Sequence, residues 1–149
     1  MVILKLLFFS GKKQTETAVI LQNTGALELV TAGTDTFFLD GTFAICPRLF
    51  YQVLNVAAEI NGKVTLLFSV AMTCRSKPLY KIVLQAIRSH PAMYNLNIAT
   101  VYADFESGIA SAVAKVIPRA RLVGCSFHYS QAIVRKLRSP GNTNRSRFT

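Results

Sequence analysis

An α/β fold with a mixed sheet and flanking helices is predicted by two patterns in this sequence. Three apolar, β-rich runs come in succession, two of them joined by Asn61-Gly62, the residue pair of a tight hairpin. Helical spacings then alternate with short apolar runs, the order expected of parallel strands connected by helices. With 149 residues, 51% hydrophobic and 16% charged, the chain can bury the core of one such domain.

Residues 1–34 are the least legible. Met1 to Phe9 is apolar apart from Lys5 and reads as a buried strand. It is too short to span a bilayer and lacks a small-residue cleavage pattern, so no membrane partner is expected. Ala26 to Thr31 is a second candidate strand, while Gln14 to Asn23 shows no clear period. The stretch is expected to be an N-terminal extension, either a flap or the remnant of an upstream domain.

From Asp35 the pattern sharpens. Thr36 to Phe43 is an aromatic-rich strand interrupted by Asp40-Gly41, and Phe50 to Ile60 and Lys63 to Thr73 are the next two strands. Pro78 stands where a first helical turn tolerates it. Leu79, Ile82, Val83, Ala86 and Ile87 follow at spacings of three and four, predicting an amphipathic helix that ends near His90-Pro91. Ile98 to Ala103 reads as a strand ending at Asp104, and Ser107 to Ile117 as a helix stopped by Pro118. Arg121 to Phe127 is the next strand and His128 to Arg138 the next helix. Residues 139–149 hold turn formers without periodicity and form a polar, basic tail, in which Asn144-Arg145-Ser146 fits a glycosylation pattern by coincidence.

Charge is unevenly distributed. The net charge is +10, and from Lys115 to Thr149 there are eight basic residues and no acidic one. A basic end of this kind suits a polyanion such as DNA or RNA, whose counterions are released on binding; a merely solvated tail is the alternative. Cys46, Cys74 and Cys125 are odd in number, which excludes full pairing within one chain, and their apolar settings read as reduced core thiols.

Two of the seven acids, Asp40 and Asp104, are attached directly to apolar strands. A carboxylate there must reach solvent, find a partner or bind a cation. If the strands are neighbours, the two groups converge into an oxygen site suited to Mg²⁺ or Mn²⁺, the cations of phosphoryl transfer. The competing reading makes Asp40 a turn cap at Gly41 and Asp104 a helix cap. Glu106 either supports that metal site or favours the helix dipole.

Cys125 and His128 lie three apart, a spacing that supplies two zinc ligands. A structural zinc takes four, and the only other histidine is His90. A Cys125 nucleophile with His128 as base lacks a third group, so an inert strand cysteine is expected. In the last helix, Arg135 and Arg138 share a face, with Gln131 four residues before Arg135. With Lys136 they are candidates for DNA contact or for a solvated surface.

Taken in order, these residues resemble the MULE (Mutator-like element) transposase domain. The resemblance is carried by Asp40-Gly41-Thr42-Phe43, Pro47, Phe50-Tyr51-Gln52, Lys77 and Tyr80, then by Asp104-Phe105-Glu106 and Ile117-Pro118. Gly124-Cys125-Ser126-Phe127-His128, Gln131 and Arg135-Lys136 complete it. The likeness covers residues 35–138 and implies an RNase H-like core, incomplete at its C-terminal part, that cuts and joins DNA with Mg²⁺ or Mn²⁺. Asp40 and Asp104 match the family's first two catalytic acids, and Cys125 and His128 its Cys/His segment. The third acid has no counterpart, because no acidic residue follows Glu106.

The resemblance therefore implies a fragment or domesticated remnant of a DNA transposase core, not autonomously active and expected in the nucleus, with DNA and a transposase partner or second copy as its partners. A non-catalytic DNA-binding or regulatory protein and an RNase H-like nuclease are the alternatives.

Overall fold

The computed structural model describes residues 2–10, 15–42, 46–104 and 106–124. In chain order the elements are β1 (Val2–Ser10), β2 (Thr15–Gln22), α1 (Thr24–Leu27), β3 (Thr36–Thr42), β4 (Gln52–Ile60) and β5 (Lys63–Met72). There follow α2 (Lys77–Arg88), α3 (Pro91–Tyr94), β6 (Thr100–Ala103), α4 (Ser107–Val116) and β7 (Arg121–Gly124).

The strands form one sheet in the order β1-β2-β5-β4-β3-β6-β7. β3, β4 and β5 pair antiparallel, whereas β6 runs parallel to β3 and β7 parallel to β6. This is the RNase H-like mixed sheet, lengthened beside β5 by the antiparallel strands β2 and β1.

The hairpin at Asn61-Gly62 forms as its residue types dictate. Both residues have positive φ, 52° and 72°, the left-handed pair that matches the twist of two antiparallel strands. The β4–β5 ladder then shifts register between Val56 and Ala57, where Phe68 and Leu66 are the successive partners. Leu67 is the extra residue of this bulge, and it is fully buried.

Residues 15–34 differ from the sequence expectation. The stretch without clear period is strand β2, paired on both sides, and the candidate strand at Ala26 to Thr31 is instead the short helix α1 followed by turns. The reason is local. Asn23 caps α1, its side chain accepting from the amide of Ala26 at 3.3 Å, and its own amide donates to the carbonyl of Leu67 at 2.8 Å. Strand β2 reads poorly because its buried residues are only Ala18 and Ile20, too few to show alternation.

Helix α2 begins at the N-cap Ser76, whose hydroxyl accepts from the amide of Leu79 at 3.1 Å, with Pro78 in the first turn. Leu79, Tyr80, Val83, Leu84 and Ile87 are buried, and Ile82 and Ala86 pack at the margin of the same core. The chain turns at His90, whose Nδ1 caps α3 through the amide of Ala92. From α4, Ile109, Ala112 and Val113 join the core, and from β3 and β6 it takes Phe37, Leu39, Val101 and Ala103.

Side chains alternate across a strand, so the neighbours of these core residues point the other way. On that second face Phe38 and Tyr102 stack with ring centroids 5.2 Å apart, and Tyr102 is exposed. No helix among the described residues is long and apolar enough to cross a membrane.

Candidate active site

The parallel β3–β6 ladder places the two strand-borne acids. Its register runs Thr36 with Thr100, Phe37 with Val101, Phe38 with Tyr102 and Leu39 with Ala103. Asp40 and Asp104 are the residues that follow the last pair of this ladder, Leu39 with Ala103. Neighbouring strands lie about 4.8 Å apart, so two positions 64 residues apart in sequence come to adjacent strands of the sheet.

Neither acid has the capping role that spacing alone allows. Asp40 and Gly41 both lie inside β3, paired with Asn55 and Leu54, so no turn exists there to cap. The N-cap of α4 is Glu106, not Asp104. Asp40 is exposed and Asp104 partly so, which gives both access to a ligand in solution.

The ladders continue this site across the sheet. Asp40 pairs with Asn55 on β4, and Asn55 pairs with Ser69 on β5. The Ser69 hydroxyl donates to Asn55 Oδ1 at 2.9 Å. Asp40, Asn55 and Ser69 thus form one polar row across β3, β4 and β5, and Asp104 follows the last residue of β6, the strand on the other side of β3. Sequence reading passed over Asn55 and Ser69; the signal was a single polar residue in the middle of each of two apolar strands.

A second polar cluster lies behind the row. Gln52 and Tyr80 are both fully buried, and the Gln52 side-chain amide donates to the Tyr80 hydroxyl. That hydroxyl donates in turn to Glu106 Oε1 at 2.9 Å. Arg75 Nε lies 3.9 Å from the same oxygen, and the Arg75 guanidinium sits 5.1 Å from the centroid of the Tyr51 ring. Burial raises the Tyr80 hydroxyl pKa well above the usual tyrosine range. The hydrogen bond from Gln52 opposes that shift, and the nearby Glu106 carboxylate reinforces it.

Glu106 therefore has a use that the sequence left open: its carboxylate is held by Tyr80 and Arg75. Tyr51, Gln52, Tyr80 and Glu106, scattered over 56 positions, meet in one cluster with Arg75.

Two adjacent carboxylates make an oxygen-only donor set of the kind Mg²⁺ and Mn²⁺ accept. Among the described residues no group of three or more His, Cys, Asp or Glu side chains is placed to hold a metal. The carboxylate chemistry of Asp40 and Asp104 fits such a cation. Cys125, His128, Gln131, Arg135, Lys136 and Arg138, with the expected last helix and the basic tail, lie outside the described residues. Of the thiols, Cys46 and Cys74 are free.

Residues 36–132 match the family model of the MULE transposase domain. No curated protein matches the sequence.

Proposed function

The chain belongs to the MULE transposase domain family, and on that premise we propose that it is a fragment or domesticated remnant of a DNA transposase core whose chemistry is divalent-metal-assisted phosphoryl transfer. The observation that carries the reading is the β3–β6 register, whose last pair, Leu39 with Ala103, directly precedes Asp40 on one chain and Asp104 on the other.

In this reading Asp40 and Asp104 hold Mg²⁺ or Mn²⁺ against a DNA phosphodiester. The bound cation would lower the barrier by activating the attacking oxygen and stabilising the leaving one. The chain's own part would be to present the two carboxylates from adjacent strands of one sheet. The nucleophile is water for strand cleavage and a freed 3′-hydroxyl for strand transfer.

No acidic residue follows Glu106 in the sequence, so the carboxylates this reading assigns to the metal are Asp40 and Asp104. A transposase partner or second copy acts beside the chain in this reading. The excess of basic residues from Lys115 onward favours DNA as the ligand, and DNA as the ligand favours the nucleus as the place of action.

The test is Mn²⁺-dependent cleavage of labelled duplex DNA and RNA–DNA hybrid by the 149-residue chain, beside the double variant Asp40→Asn/Asp104→Asn. Duplex cleavage that disappears in the variant supports the transposase reading. Preference for the hybrid turns it towards an RNase H-like nuclease. Folded protein that binds DNA in EDTA and cleaves nothing is a non-catalytic DNA-binding remnant.

A further inference from the structure

We propose that Tyr80 is a positioning residue for Asp104: it grips the start of α4 at two points, beginning two residues beyond that carboxylate, and thereby fixes its position. The first grip is the hydrogen bond from its hydroxyl to Glu106 Oε1, 2.9 Å long. The second is the packing of its ring on Gly108. A Cβ at position 108 would lie 2.6 Å from Tyr80 Cδ2 and 2.7 Å from Cε2, closer than real Cβ contacts come. Glu106 and Gly108 flank Ser107, the first residue of α4, and Asp104 stands two residues before Glu106.

Asp40 lies within β3 and is paired to β4, whereas Asp104 stands between β6 and α4. A side chain that anchors the start of α4 holds the far end of that connection. Such placement matters because a site must hold its geometry to within about half an ångström.

Tyr80 is suited to the task because it cannot itself move freely. It is fully buried on α2, and the Gln52 amide holds its hydroxyl. Gln52 begins β4, and its Oε1 lies 3.4 Å from where a Cβ of Gly41 would stand, next to Asp40 in sequence. Glu106 is then the handle by which Tyr80 holds the turn, rather than a ligand.

The effect on metal binding rests on the function proposed above; the grip on the turn does not. The experiment therefore reads both. Amide hydrogen exchange over residues 104–108 and Mn²⁺ affinity are measured for the whole chain and for Tyr80→Phe, Glu106→Gln, Glu106→Ala and the double variant Tyr80→Phe/Glu106→Ala. Circular dichroism and thermal unfolding establish that each is folded.

Tyr80→Phe and Glu106→Ala are expected to speed exchange over 104–108 and to weaken Mn²⁺ binding on the order of tenfold, the usual cost of losing a group that orients a metal ligand. Their effects should not add in the double variant. Glu106→Gln keeps an acceptor oxygen and should stay near the parent in both readouts. Unchanged exchange in folded Tyr80→Phe overturns the proposal. So does the pattern of a direct ligand, in which Glu106→Gln loses Mn²⁺ and Tyr80→Phe retains it. Should the parent chain bind Mn²⁺ no better than Asp40→Asn/Asp104→Asn, the metal reading fails, and exchange alone decides the grip.

Discussion

Asn55 stands directly across the β3–β4 ladder from Asp40, with its side-chain oxygen already engaged by Ser69 at 2.9 Å. The residue beside the first acid is therefore neutral and oriented from its far side. A carboxylate at position 55 would face Asp40 as a like charge. Asn55→Asp is expected to lower stability by about 0.2–1 kcal/mol in EDTA, the range for like charges in direct cross-strand pairs. Mn²⁺ should return part of that loss, because a cation favours two adjacent carboxylates. Thermal unfolding with and without Mn²⁺ measures both effects, and an equal loss in the two conditions would count against a cation beside Asp40.

Gly108 is required by contact, not by backbone conformation, since it lies inside α4 and is absent from the positive-φ residues. Gly108→Ala gains helix propensity but drives a methyl group into the Tyr80 ring. The clash should win, with a net loss of about 1–3 kcal/mol in denaturant unfolding. In a Tyr80→Ala background the same change should cost less or stabilise, since the ring it strikes has gone.

The Tyr80 hydroxyl should remain protonated beyond the ordinary tyrosine range, first because it is buried and then because Glu106 lies against it. Its folded-state pKa is raised above the unfolded value. The stability it contributes is therefore fully present below about pH 10, the unfolded tyrosine value, and is lost as pH rises through the folded one. Phenolate absorbance from Tyr80 should appear only above the ordinary tyrosine range, accompanied by unfolding. Tyr80→Phe should remove that late step.

Phe38 and Tyr102 stack on the same face as the two acids, in the register step just before Leu39 and Ala103. A double-mutant cycle with Phe38→Leu and Tyr102→Leu should show a coupling of about 0.5–1.5 kcal/mol, as for other aromatic pairs. Additive effects in denaturant unfolding would show that the stack adds nothing beyond burial.

Leu39 is buried between its partners Val56 and Ala103 in the layer directly beneath the acids. Leu39→Ala should cost about 2–5 kcal/mol, the range for a core leucine. The cavity adjoins the site, so Mn²⁺ affinity should fall as well. By contrast Val64→Ala, at an exposed position of β5, should change neither by a measurable amount.

The sequence alone determined the class of fold, and for a local reason. Hairpin β4–β5 is written in Asn61-Gly62, and α2 and α4 in apolar residues recurring every three or four positions. Turn chemistry and helical periodicity act over a few residues, so one chain displays them without its partners. Strand β2 was missed because its pairing with β5 is set by residues some fifty positions away. The acids themselves were legible, since a carboxylate fastened to an apolar strand stands out.

Only the tertiary structure decided what those acids stand beside. Asp40 and Asp104 come to adjacent strands because β6 returns parallel to β3, and a shift of a single residue would turn Asp40 to the buried face. Asn55 and Ser69 join them through two antiparallel ladders, and Gln52, Tyr80 and Glu106 meet only when α2 and α4 pack together. Hydrogen bonds of a few ångströms depend on strand register and helix packing, which are collective properties of the folded core.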